Sequence, residues 1–444
     1  MRRVRAYRKR VVIAALLFMG ASHALASPFC PPDFNNDDRL NFFDISAFID
    51  AYLDEDPAAD FNSDGDFDFF DISNYIQSYL DGCPDLTDSD NDRIPDFAET
   101  NDGRFIDLMH AGTDPLNPDT DNDGIPDGDE LLGTIDNLDL PAMGANPLRR
   151  TIFVECDWFA GNFDGFETSY RPTDEVIAPI VDAFKHAPVP NPYDAPPGID
   201  VFFDHGQGGA FTNGNQLPGA PLFIFFDFEF NILKDEHFED NRNGYFHYAI
   251  FGFAYNDPEN RSSGVAELPG DDFMVTLADY GTPQIMTNTI MHELGHNLNL
   301  EHGGDESLNW KPNYNSVMNY RYQFDGVDIT LDAIGDGLPD YSLGVSIPLD
   351  ETRVIESLGI DGNTPIDWDD DGEIRTDAYA ANLNCRIGIG PCGDNSSVCW
   401  DDICEPLRDH DDWNAILWSR FETNVDRLPE PRLIECASPA WLDD

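Results

Sequence analysis

The stretch Thr282-Pro-Gln-Ile-Met-Thr-Asn-Thr-Ile-Met-His292-Glu-Leu-Gly-His296-Asn-Leu-Asn299-Leu-Glu-His302 decides how this chain is read. Thr282 suits an N-cap and Pro283 the first helical position, so a helix is predicted from Pro283 to about Asn299. Met286, Ile290, Leu294 and Leu298 recur every fourth residue and form the stripe that should face a core. His292 and His296 are also four apart and share a different face, with Glu293 at its border. Two imidazoles and a carboxylate in the order H-E-x-x-H suit one zinc ion with the carboxylate as general base. His302 adds a third imidazole six residues beyond His296. Between them stands Asn299, which after Gly best tolerates the left-handed backbone needed to leave the helix and swing His302 back.

Downstream lies Ser316-Val317-Met318-Asn319-Tyr320. With H-E-x-x-H-x-x-N-x-x-H it resembles the metzincin metallopeptidases, whose pattern carries Gly where this chain has Asn299. The resemblance is close over residues 284–320 and looser over 149–330. It implies an α+β catalytic domain, a mixed twisted sheet with an active-site helix. It implies zinc held by His292, His296 and His302, with Met318 as an apolar floor. The Met-Asn-Tyr ending is like the astacin and serralysin branches, which makes Tyr320 a candidate fifth ligand or oxyanion stabiliser. The implied activity is that of a zinc-dependent endopeptidase in which Glu293 takes a proton from a zinc-bound water. Asn299 is also compatible with an inactive relative. The competing reading is a non-catalytic, calcium-dependent adhesion or scaffold protein with a relic zinc site.

Around this centre, Thr151–Cys156, Asp200–Asp204 and Leu222–Phe228 read as strands, and Thr173–His186 as a helix weakened by Pro179. Phe273–Leu277 reads as a strand and as the sheet edge along which an extended substrate would lie. His205, His237 and His247 read as structural or surface residues, and Glu267, Asp271 and Asp272 as loop acids.

Two pairs of acidic loops precede the catalytic region. Asp33, Asn35, Asp37, Asn41, Asp44 and then Asp60, Asn62, Asp64, Asp68, Asp71 occupy positions 1, 3, 5, 9 and 12 of an EF-hand-like loop. Each loop runs into a helical pattern, and the pair resembles a dockerin module over residues 30–83. That resemblance implies calcium in both loops and a cohesin-like partner on the helices; a calcium-stapled stability module without a partner fits equally. Asp88, Asp90, Asp92, Asp96, Glu99 and Asp119, Asp121, Asp123, Asp127, Glu130 repeat the spacing with an Ile-Pro in each loop. This second pair looks like thrombospondin type 3 repeats and implies further calcium in a stiff spacer.

The 444 residues carry 85 acidic and 25 basic side chains, a net charge of −60, which excludes nucleic-acid and anionic-lipid binding. A basic start, the apolar run Val11–Met19 and Ala24-Leu25-Ala26 read as a signal peptide over residues 1–26, and hence as a secreted chain. No later apolar stretch is long enough to span a bilayer. Export permits disulfides among the eight Cys. Cys30 and Cys83 bracket the first acidic pair, and Cys385, Cys392, Cys399 and Cys404 crowd one loop where disulfides are favoured over zinc. Cys83-Pro84-Asp85 also resembles a cysteine-switch pro-segment, although the symmetric bracketing favours the Cys30–Cys83 disulfide. The expected divisions are 27–84, 85–148, 149–330 and a Cys-containing subdomain over 331–444.

Overall fold

The computed structural model describes residues 29–37, 39–163, 166–219, 229–257, 259–386, 388–393, 399–418 and 432–436. The expected signal peptide and the expected strand Leu222–Phe228 lie outside these residues. The chain forms two compact units that part after Thr87.

In the smaller unit each acidic loop ends at a helix, α1 (Phe42–Leu53) and α2 (Phe69–Asp81). Asn41 and Asp68 cap these helices by accepting the Phe43 and Phe70 N–H groups, and Asp44 and Asp71 complete the capping boxes. The core is small: Phe34, Phe48, Ala51, Ala59 and Tyr75, with the Phe48 and Tyr75 rings stacked at 3.9 Å. The Cys30–Cys83 disulfide ties its ends together, as the bracketing predicts. A core of this size gains from such a staple.

The larger unit is α+β. Its elements in chain order begin with α3 (Asp127–Leu132), α4 (Leu140–Met143), β1 (Thr151–Phe163), β2 (Phe166–Ser169) and α5 (Asp174–Lys185). Then come β3 (Asp200–Asp204), β4 (Gln216–Leu217), α6 (Asn231–His237), β5 (Phe246–Gly252), β6 (Gly264–Leu268), β7 (Asp272–Thr276) and α7 (Pro283–Asn297). The last are β8 (Leu349–Asp350), β9 (Pro406–Leu407), α8 (Asp412–Ala415) and β10 (Arg432–Glu435). The main sheet runs β10-β6-β7-β5-β1-β2, with β3 and β4 also on β1. It is mixed: β3, β5 and β7 are parallel in succession with β1 or β5, whereas β6 is antiparallel to β7 and β10 to β6. Ile152, Phe153, Val154 and Cys156 are all buried, which suits a strand covered on both faces. Helix α7 packs on β6 and β7, and α5 packs on α7.

The expected edge strand lies elsewhere in the sheet. Phe273–Leu277 coincides with β7, but β7 lies between β5 and β6. Beyond β7 on that side come β6 and then β10, the terminal strand of the order. Glu267 and Asp272 sit in β6 and β7 rather than in loops, and Asp272 pairs with Lys234. His205 and His247 are buried, His205 near Asp174 and His247 with Nδ1 3.1 Å from Asn297 Oδ1.

The second acidic pair is built into this unit. Ile125, Leu138, Leu140 and Met143 belong to the core of the main sheet. Thr151 N–H donates to Asp123 at 2.6 Å, and Tyr245 Oη to Asp129 at 2.6 Å. A second core gathers Leu349, Val354, Ile360, Ile366, Trp368, Leu383 and Leu407, beside the Cys385–Cys399 and Cys392–Cys404 disulfides. Trp413 leaves that region for the main core, where its ring meets Phe184 and Tyr341 at 5.1 and 4.8 Å. No helix of the described residues is long and apolar enough to cross a membrane.

Candidate metal centre

Helix α7 starts as its residues dictate: Thr282 Oγ1 accepts the Ile285 N–H at 3.2 Å and Pro283 occupies the first turn. Ile290, Leu294 and Leu298 are buried and Met286 packs at the edge of the same core, so the predicted stripe faces inward. The helix ends at Asn297, two residues earlier than the pattern suggests, with Leu298 as its C-cap. Asn299 then takes the left-handed conformation expected of it, with φ +75°. That turn lets Leu300 N–H reach back to Gly295 O at 2.9 Å and brings His302 round beside the helix.

The three imidazoles meet. Ring centroids lie 4.6 Å apart for His292 and His296, 4.8 Å for His296 and His302, and 5.3 Å for His292 and His302. His292 Nδ1 is 2.7 Å from Val317 O, and His296 Nδ1 is 2.7 Å from Leu300 O. A carbonyl only accepts, so each Nδ1 carries the proton and each Nε2 turns a lone pair to the centre. The His292 and His296 Nε2 atoms stand 3.1 Å apart. Two facing lone pairs repel unless a cation lies between them. Imidazole nitrogens at ~2.1 Å from one tetrahedral ion stand about 3.4 Å apart, so this spacing fits a shared metal. Burial holds the His292 imidazole neutral, its pKa lowered to about 4, and lowers those of His296 and His302 well below the usual value. Neutral imidazoles are the ligand form. Three of them suit a borderline transition metal better than a hard cation.

Glu293 is wholly buried, and burial raises its carboxyl well above the ordinary range. Gly264, the first residue of β6, makes room for it: a side chain there would strike Glu293 Oε1. Met318 is buried beneath α7 at Gly295, where any side chain would strike its sulfur. Tyr341 Oη donates to Met291 O at 2.6 Å, and Asn319 Nδ2 to Lys311 O and Tyr314 O at 2.6 and 2.8 Å, which fixes this floor. Tyr320 is half-buried, its ring 4.2 Å from His302 and 5.9 Å from His292.

One participant was not foreseen. Cys436, next after β10, places Sγ 3.2 Å from His292 Nε2, 3.5 Å from His296 Nε2 and 4.0 Å from His302 Nε2. The same sulfur is 3.3 Å from Glu293 Oε2. Cys436 and Cys156 are the two thiols outside the disulfides. Cys83, whose Cys-Pro-Asp context resembles a switch segment, is bonded to Cys30, as the bracketing favours. Pairing six of the eight cysteines leaves Cys156 and Cys436, and no local pattern marks Cys436 as a metal ligand.

The acidic loops gather their oxygens in two styles. Asp33, Asp37 and Asp44 converge in the smaller unit. Its second loop repeats the closure, with Asp60 accepting the Asp64 and Gly65 N–H groups and Asp71 those of Asn62 and Asp68. In the larger unit Asp88, Asp90 and Asp92 form one cluster, and Asp119, Asp121 and Asp123 another. A third, Asp92 with Glu99 and Asp127, joins the two loops. Asp96 and Asp127 close their loops alike, each accepting an N–H and a hydroxyl, from Ser89 and Thr120 respectively. Asp92 Oδ2, Glu99 Oε2, Asp121 Oδ2 and Glu130 Oε2 are buried without a hydrogen-bond partner among the described residues. Such oxygens suit a hard cation. By contrast, the loop at Asp367 supplies its own positive charge, Arg375 lying 2.6 Å from Asp369 and 2.9 Å from Asp371.

Compared with known proteins, the chain matches no family model, no curated protein and no solved structure.

Proposed function

We propose that the larger unit is a secreted zinc endopeptidase of metzincin type, stiffened by calcium. The observation that carries this reading is the convergence of three imidazoles, two of them with Nε2 lone pairs turned inward, beside a buried carboxylate, Glu293. His292, His296 and His302 would hold zinc, which when bound supplies a Lewis acid and lowers the pKa of a water toward ~7. Glu293, raised by burial, readily holds a proton taken from water and can return it to the leaving amine nitrogen. Tyr320, bordering His302, is the proposed hydroxyl donor to the oxygen that gains charge. Strand β6, antiparallel to β7 and flanking α7, would receive an extended peptide on the side that β10 occupies.

The buried orphan oxygens of the second acidic pair support calcium there, and the paired loops of the smaller unit support it in a dockerin-like module. On that module Ile49, Leu53, Ile76 and Leu80 are exposed at equivalent positions of α1 and α2. This doubled apolar face supports a cohesin-like partner. Three disulfides support export.

The test is cleavage of a denatured protein by the purified chain, in the natural sequence and in a Cys436→Ser background. Glu293→Gln should lower turnover in that background at least about 1,000-fold while bound zinc, measured by elemental analysis, stays at one per chain. Unchanged turnover in Glu293→Gln would overturn the reading.

A further inference from the structure

We propose that residues 432–436 are a built-in inhibitor of the metal site, with Cys436 as the fourth metal ligand and β10 in the place of substrate. The inference rests on the peptidase reading and adds to it a latent state that the chain imposes on itself.

The first support is the donor set. Three imidazole nitrogens and one sulfur around a tetrahedral ion, at ~2.1 and ~2.3 Å from it, leave nitrogen and sulfur about 3.6 Å apart. The observed separations of 3.2, 3.5 and 4.0 Å bracket that value. A site with four protein ligands is closed, whereas catalysis needs one position open to water. Cys436 is 2 % exposed and also lies against Glu293, so metal and base are covered together.

The second support is independent of the thiol. Strand β10 pairs antiparallel with β6, Arg432 opposite Leu268, Leu433 opposite Glu267, Ile434 opposite Ala266 and Glu435 opposite Val265. The ladder continues to Cys436, whose N–H donates to Gly264 O at 3.1 Å. It thus ends at the glycine that makes room for Glu293. The backbone groups β6 would offer an extended peptide are already paired. Both ends of the segment are anchored: Arg432 to Glu301, the neighbour of His302, and Cys436 O to the Ser262 hydroxyl. Withdrawal of the segment would open the fourth position to water and β6 to substrate in one movement.

Cobalt(II) substitution of the full chain reads the ligand directly. The natural chain should show a thiolate-to-cobalt charge-transfer band in the near ultraviolet. Cys436→Ser should lose that band, keep the visible bands of a histidine-bound ion as its control for folding, and hydrolyse an unstructured peptide at least 10-fold faster with zinc. Ile434→Pro tests the strand separately. The alternation from the Cys436–Gly264 bond makes Ile434 a hydrogen-bonding position, so this variant should gain activity while keeping the thiol. Absence of the charge-transfer band from the natural chain overturns the proposal whatever the activity. Equal hydrolysis by the natural chain and Cys436→Ser also overturns it and leaves the peptidase reading intact. A band that Cys436→Ser removes without hydrolysis by either chain overturns both, leaving a closed structural metal site.

Discussion

In the first acidic pair Asp37 and Asp64 are exposed, and Asp33, Asp44 and Asp71 are the buried carboxylates. In the second pair Asp92, Glu99, Asp121, Asp123, Asp127 and Glu130 are all buried. The spacing of oxygens is the same in both. What differs is the surface each loop meets: a five-residue core in the smaller unit, and the main sheet in the larger. Burial changes what a cation would do. In the first pair water already solvates much of the charge, so an ion tightens a small module. In the second, burial and mutual repulsion raise Asp92 to about 7 and Glu99, Asp123 and Asp127 to about 8. There an ion compensates charge that the fold itself has dehydrated.

Calcium removal should separate the two pairs most strongly. An ion present at a thousand times its Kd contributes about 4 kcal/mol per site. Chelation at pH ~7.5, followed by scanning calorimetry, should therefore lower the transition of the larger unit much further than that of the smaller. Equal shifts would break the contrast. Without calcium, the raised carboxyls of the second pair make stability depend on pH. Their folded pKa values exceed the free value near ~4, so their contribution is complete below that pH and is lost as pH rises through 7 to 8. Chelated protein should accordingly melt at falling temperature from pH ~5 to ~8, and saturating calcium should flatten that slope.

Single substitutions sharpen the same comparison. Asp123→Ala removes the acceptor of the Thr151 and Ile125 N–H groups and should cost the larger unit about 3 kcal/mol in calcium, by chemical denaturation. Asp64→Ala, at an exposed oxygen, should cost the smaller unit about 1 kcal/mol or less. A change outside both pairs gives the smallest effect. Asn299→Gly relieves a left-handed residue at φ +75° and should stabilise the larger unit by about 0.5 kcal/mol, leaving the calcium response unchanged.

Much of the candidate site was legible because its rules are local. The N-cap at Thr282, the two faces of α7 and the left-handed exit at Asn299 each depend on residues within a turn or two. Strands β1 and β3 and helix α5 were legible from their apolar patterns for the same reason. The substrate edge was misplaced because Phe273–Leu277 carries no mark of which strands will flank it. The loop acids of the second pair, likewise, look no more buried in sequence than those of the first.

By itself the sequence determined which side chains share a helix face, where the chain turns left-handed and how loop oxygens are spaced, since helix and loop geometry relate neighbours a few residues apart. Tertiary structure alone decided that β7 lies inside the sheet with β6 and β10 beyond it, that six carboxylates of the second acidic pair are buried, and that Cys436 returns to His302 from 134 residues away. Those outcomes follow from sheet pairing, in which partners are chosen by packing of the whole unit and leave no periodic trace in either strand.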